Sequence, residues 1–124
     1  MQVSDLPETC ILYFTAKWCG PCQRVKPLLT ELEKTYNASR PDDIIQLIKI
    51  DIDDEDDLPN YFKVSSIPNI TFIKNGETIM TVIGADDQKI RQGFEKTFAN
   101  QIYLPTSKKA EVQKNGASNE KSEN

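Results

Sequence analysis

No histidine occurs anywhere in the 124 residues, and only three cysteines do. A zinc site therefore has few ligands to draw on, because a pair of thiolates needs two more donors to complete a tetrahedral shell and no imidazole is available. Three cysteines, one of them odd, also fail to make the disulfide framework of a small secreted domain. Long apolar runs are missing as well. The longest near the start covers about five residues, against the roughly 20 that a membrane helix needs. No small-residue cleavage pattern follows it, so no export signal is expected and the expected compartment is the cytoplasm. Excess positive charge is absent too: 15 Lys and Arg stand against 19 Asp and Glu, a net charge of −4. Nucleic-acid binding depends on a basic surface that neutralises phosphates, and a membrane surface calls for a basic helix; neither is here.

What is present suffices for one globular domain, with 38% apolar and 27% charged residues. Residues 1–9 are polar, contain Pro7 and read as a short lead-in. Cys10 to Phe14 is an apolar strand. From Cys19 to about Tyr36, the residues Val25, Leu28, Leu29, Leu32 and Tyr36 recur at spacings of three and four, the stripe of a helix that faces a sheet. Pro27 interrupts that helix and is expected to kink it. Asn37 to Asp43 reads as a loop. The near-continuous apolar run Ile44 to Ile50 predicts a central strand covered on both faces. Leu58 to Phe62 is a short helix. Ile70 to Ile73 and Thr78 to Ile83 are strands joined by Asn75-Gly76, a strong hairpin signal. Asp86 to about Phe98, with Ile90, Phe94 and Phe98 at fourfold spacing, is the last helix. This order predicts an open α/β domain with a mixed four-stranded sheet and about three helices over residues 10–104. Residues 105–124, rich in Lys, Asn, Ser and Glu, are expected to be a disordered polar tail.

The chemistry is concentrated in Trp18-Cys19-Gly20-Pro21-Cys22, at a strand-to-helix junction. A cysteine at a helix N-terminus faces unsatisfied backbone N–H groups and the positive end of the helix dipole, both of which favour the thiolate. In a Cys-X-X-Cys run of this kind the first thiol's pKa falls from about 8.5 toward neutrality. Cys22 lies in the first helical turn, within reach of Cys19, so the two can close a disulfide without refolding the chain. Gly20 allows close backbone approach, and Pro21 fixes φ where its missing N–H costs nothing. Cys10 reads as a small buried core residue.

Trp18-Cys19-Gly20-Pro21-Cys22, then Ile67-Pro68, then Asn75-Gly76 leading to Gly84-Ala85 resemble the thioredoxin family in order and spacing. Phe14, Ala16, Pro27 and Lys49 also fall where the family has them. The resemblance covers roughly residues 10 to 100 of the sequence. It implies a monomeric protein-disulfide reductase that acts on disulfide-containing proteins and is recharged by an NADPH-dependent thioredoxin reductase. No bound cofactor or metal is implied beyond the redox-active pair. It further implies a cis bond before Pro68, leaving the backbone of Ile67 free to pair with an extended substrate segment. Trp18, Gly20, Pro21, Ile67, Pro68 and Gly84 would line the substrate groove. Cys19 thiolate would attack a substrate disulfide and Cys22 would displace the reduced product.

Three departures stand out. Thioredoxins carry a strand and helix before the strand that matches Cys10 to Phe14, and nine residues cannot supply both, so a trimmed fold with one open sheet edge is expected. The family's buried Asp, held to assist Cys22 in losing its proton, is Tyr13 here. Lys49, which the family pairs with that Asp, is then either partly neutral and itself a base, hydrogen-bonded to Tyr13, or extended to solvent. The family's usual Thr after the proline is Asn69. The acidic cluster Asp51 to Asp57 lacks the glycine of a calcium loop and reads as a solvated loop. Three functional classes remain open: a general reductase, an oxidase or isomerase, and an interaction module with little turnover. Gly20-Pro21 favours the first, since the resemblance ties it to the family's own potential of about −270 mV, against about −180 to −120 mV for oxidising relatives.

Overall fold

The structure, a computed structural model, describes residues 1–99; the expected end of the domain at 104 and the tail at 105–124 lie outside the described residues. After a short 3-10 turn at Val3–Asp5, the elements run β1 (Cys10–Thr15), α1 (Gly20–Asn37), β2 (Gln46–Asp51), α2 (Leu58–Tyr61), β3 (Asn69–Lys74), β4 (Glu77–Ile83) and α3 (Asp87–Phe98). The sheet order is β2-β1-β3-β4. β1 runs parallel to β2 and antiparallel to β3, and β3 pairs antiparallel with β4. The mixed four-stranded sheet with three helices expected from the sequence is thus what forms.

The period-2 alternation of β1 divides the core in two. Ile11 and Tyr13 face Val25 and Leu29 of α1 and Ile90, Phe94 and Phe98 of α3. Cys10, Leu12 and Phe14 face Ile50, Leu58 and Ile73 on the other side. Every residue of β1 is buried, which its six apolar, aromatic or β-branched residues permit. At the hairpin, Asn75 (φ 56°) and Gly76 (φ 76°) both adopt positive φ, the conformation that a two-residue turn of this hand requires. Asp86 caps α3 by accepting a hydrogen bond from the Lys89 N–H at 3.1 Å. α1 continues unbroken through Pro27, which sits on its exposed side.

One expectation is corrected. The apolar run Ile44 to Ile50 does not form a central strand: β2 is at the edge of the sheet, and Ile44 and Lys49 are exposed. An apolar run cannot by itself distinguish a strand with two neighbours from one with a single neighbour backed by a helix. The open edge is covered from an unexpected quarter. Asn37, at the end of α1, accepts from the Ile45 N–H (2.8 Å) and donates to the Ile45 carbonyl (2.9 Å), while Glu33 accepts from the Leu47 N–H (3.2 Å). Side chains of α1 therefore occupy the backbone groups that a further strand would use, and exposed Lys49 follows them along the edge. The lead-in runs elsewhere: the Glu8 carbonyl accepts from the Gly76 N–H at 3.0 Å, beside the hairpin.

The loop after α1 hides a buried cation. Arg40 is 5% exposed; its guanidinium pairs with the Asp43 carboxylate at 2.7 Å and lies 5.4 Å over the Phe98 ring, joining this loop to the end of α3.

Candidate active site

Register brings three loops to one end of the sheet. Phe14 of β1 pairs with Asn69 of β3, and Asn69 pairs with Ile83 of β4. The turn after β1, the Ile67-Pro68 segment before β3 and Gly84 after β4 therefore meet there. The Gly84 N–H donates to the Pro68 carbonyl at 2.8 Å, tying the last two together, and Gly84 has φ +97°, a conformation that favours glycine. The Ile67-Pro68 bond is cis. Among the described residues the backbone N–H and C=O of Ile67 take no hydrogen-bond partner.

Cys19 is the N-cap of α1 and adopts an extended conformation. Its sulfur accepts a hydrogen bond from the Cys22 N–H at 3.2 Å. A helix's first N–H groups lack intrahelical acceptors, so the sulfur takes the part that a Ser or Asp oxygen plays at other helix starts. Cys19 and Cys22 are joined in a disulfide with Cα atoms 5.3 Å apart. Cys22 is fully buried, whereas Cys19 retains 5% exposure. On reduction, the same N–H would stabilise negative charge on Cys19.

Trp18 is not a core residue: it is 68% exposed, with Nε1 donating to the Asp53 carboxylate at 2.8 Å. The sequence reading treated Asp53 as one charge of a solvated loop and missed this contact. The signal was the parallel pairing of β1 with β2. That register carries the residues just after Asp51 alongside those after Thr15, and the Ile52 N–H indeed donates to the Thr15 carbonyl at 2.9 Å.

Tyr13 is 2% exposed, and its hydroxyl donates to the backbone carbonyl of Cys22. Burial raises its pKa above the ordinary value of 10.0, and the adjacent Thr15 hydroxyl pulls the other way. The phenol therefore stays protonated at neutral pH. Lys49 lies opposite Tyr13 in the β1–β2 register, yet it is exposed and makes no hydrogen bond to it. Of the three arrangements open to Lys49, the structure fits extension to solvent. The Tyr13–Lys49 hydrogen bond does not form, because the Tyr13 hydroxyl is directed to the Cys22 carbonyl and Lys49 lies exposed on an edge strand.

The family model described as Thioredoxin matches residues 1–96. The chain belongs to the thioredoxin family. It is 35% identical over 89 residues to Thioredoxin 1 of Plasmodium falciparum, covering 72% of this chain and 80% of that protein. Thioredoxin of Haemophilus influenzae is 38% identical over 82 residues, covering 66% and 70%. Among solved structures, the oxidised thioredoxin from Plasmodium falciparum superposes with a TM-score of 0.64 at 33% identity, over 77% of this chain and 86% of that one. As a thioredoxin the chain is an oxidoreductase that reduces disulfides by dithiol–disulfide exchange. Within the described residues no cluster of His, Cys, Asp or Glu is arranged to hold a metal, and no helix is long and apolar enough to cross a membrane.

Proposed function

We propose that Cys19 is the attacking thiolate and Cys22 the resolving thiol of a cytoplasmic, monomeric protein-disulfide reductase. The Cys19 thiolate attacks one sulfur of a substrate disulfide, forming a mixed disulfide and releasing the other substrate sulfur as a thiolate that takes up a proton. Cys22 then loses its proton and attacks the Cys19 sulfur, so that the substrate leaves fully reduced and Cys19–Cys22 is left oxidised. An NADPH-dependent thioredoxin reductase returns two electrons to that pair.

The observation that carries this reading is the hydrogen bond from the Cys22 N–H to the Cys19 sulfur, on the more exposed of the two cysteines. Trp18, Gly20, Pro21, Ile67, Pro68 and Gly84 form the groove around it. A substrate segment would pair as an added strand with the Ile67 backbone while Trp18, steadied by Asp53, and half-buried Ile67 supply apolar contact. Tyr13 acts as a positioning residue, holding the first turn of α1 through the Cys22 carbonyl, and water rather than a carboxylate takes the Cys22 proton. Lys49 takes no part in that transfer.

Dithiothreitol-driven reduction of insulin tests the reading. Turnover within a few-fold of an ordinary thioredoxin, abolished in Cys19→Ser, is the expected result. A background rate from folded protein with both thiols free would favour an interaction module instead.

A further inference from the structure

Between β1, β2 and the first turns of α1, walled in part by Tyr13, Ala16 and Gln23, lies a cavity of about 330 Å³. We propose that it binds a small oxyanion, the carboxylate or phosphate group of a low-molecular-weight ligand. In the β1–β2 register Tyr13 pairs with Lys49 and Thr15 with Asp51, so these four share one face of the sheet, the face that α1 covers. Lys26 on α1 and Lys17 in the preceding turn complete the wall.

Three ammonium groups against the single carboxylate of Asp51 give this hollow a local excess of positive charge in a chain whose net charge is −4. None of the three lysines forms an ion pair among the described residues. Gln23, also in the wall, is fixed by donating from Nε2 to the Ala16 carbonyl at 3.1 Å. Thr15 is also in the wall, but it is 3% exposed and its hydroxyl lies beneath the surface close to Tyr13, so the lysines are the groups that a ligand reaches.

Lysine offers only donors, and a carboxylate or phosphate oxygen only accepts, so the lining and the ligand are complementary. The volume lies at the low end of the range for small-molecule sites, suiting an oxyanion on a compact organic body. Solvent-exposed lysines contribute little each, so dissociation constants of roughly 1 mM are expected for minimal probes.

The test is amide NMR titration of the oxidised full chain, at constant ionic strength held with chloride. Inorganic phosphate is the probe in one arm and malonate in the other. Saturable shifts centred on Thr15, Lys17, Gln23 and Lys49 are expected in at least one arm. Saturation by phosphate alone or by malonate alone identifies the group preferred, and saturation by both leaves the shared oxyanion chemistry. Lys26→Gln and Lys17→Gln should each weaken binding at least threefold, with spectra that confirm the fold and with insulin reduction unchanged. Shifts that rise linearly in both arms, or that persist unaltered in both variants, would overturn the proposal.

Discussion

Replacing Tyr13 by Phe isolates the hydroxyl that stands where the family has a carboxylate. The ring is 2% exposed and a phenyl fills the same space, so no cavity arises. What disappears is the donor to the Cys22 carbonyl. That carbonyl lies in the first turn of α1, where the helix itself provides an N–H, so it is not left orphaned. The cost is then that of one neutral hydrogen bond, about 1 kcal/mol. In a domain of this size that lowers Tm by about 4–8 °C. Catalysis should respond little. A phenol whose pKa burial has raised cannot accept the Cys22 proton near pH 7. Resolution of a mixed disulfide, followed by stopped flow from pH 6 to 9, should therefore keep its rate within about threefold and its pH profile unmoved. A loss of tenfold or more at unchanged Tm, or a displaced pH profile, would refute the reasoning and make the phenol a participant.

Three further outcomes follow from the packing and the titrating groups. An added Cβ at Gly93 would overlap the Phe72 ring, which stands edge-on to Phe94 at 5.4 Å; Gly93→Ala should thus destabilise by about 1–3 kcal/mol in urea titration, although Ala is the better helix former. Burial pushes the Cys10 thiol from 9.0 up to about 11, so the stability it contributes is whole below pH 9 and is lost as pH rises through 11. Urea midpoints should fall more steeply over that window in the wild type than in Cys10→Ala, and equal slopes would contradict this. Asp53→Ala removes the acceptor of the Trp18 indole at 2.8 Å. Because Trp18 is the chain's single tryptophan, its fluorescence anisotropy should fall and its acrylamide quenching rise, with no change if the hydrogen bond is idle in solution.

The fold was legible where the sequence carried a period. Val25, Leu29 and Leu32 marked the buried stripe of α1, Asn75-Gly76 marked the hairpin, and Ile90, Phe94 and Phe98 marked the inner face of α3. The dithiol was legible because strand, turn and helix start are all local. What escaped depends on tertiary placement. The position of β2 at the sheet edge follows from strand order, which the run Ile44 to Ile50 does not encode, and the capping of that edge by Asn37 and Glu33 follows from where α1 comes to rest. Arg40 looked like a loop charge until the end of α3 and Phe98 enclosed it. Asp53 looked like one acidic residue among several until the parallel register set it beside Trp18. Tyr13 was recognised as the departure from the family, but only the structure shows its proton directed to the Cys22 backbone rather than to Lys49.

The measurement that tests the central claim most directly is capture of the mixed disulfide. Reduced Cys22→Ser and Cys19→Ser variants would each be mixed with oxidised insulin near pH 7, and adducts read by intact-mass spectrometry with peptide mapping. The account predicts a lasting adduct on Cys19 in the first variant and none in the second, whose remaining site thiol is fully buried. An adduct forming equally fast on Cys22, or on Cys10, would contradict the assignment of Cys19 as the attacking thiolate.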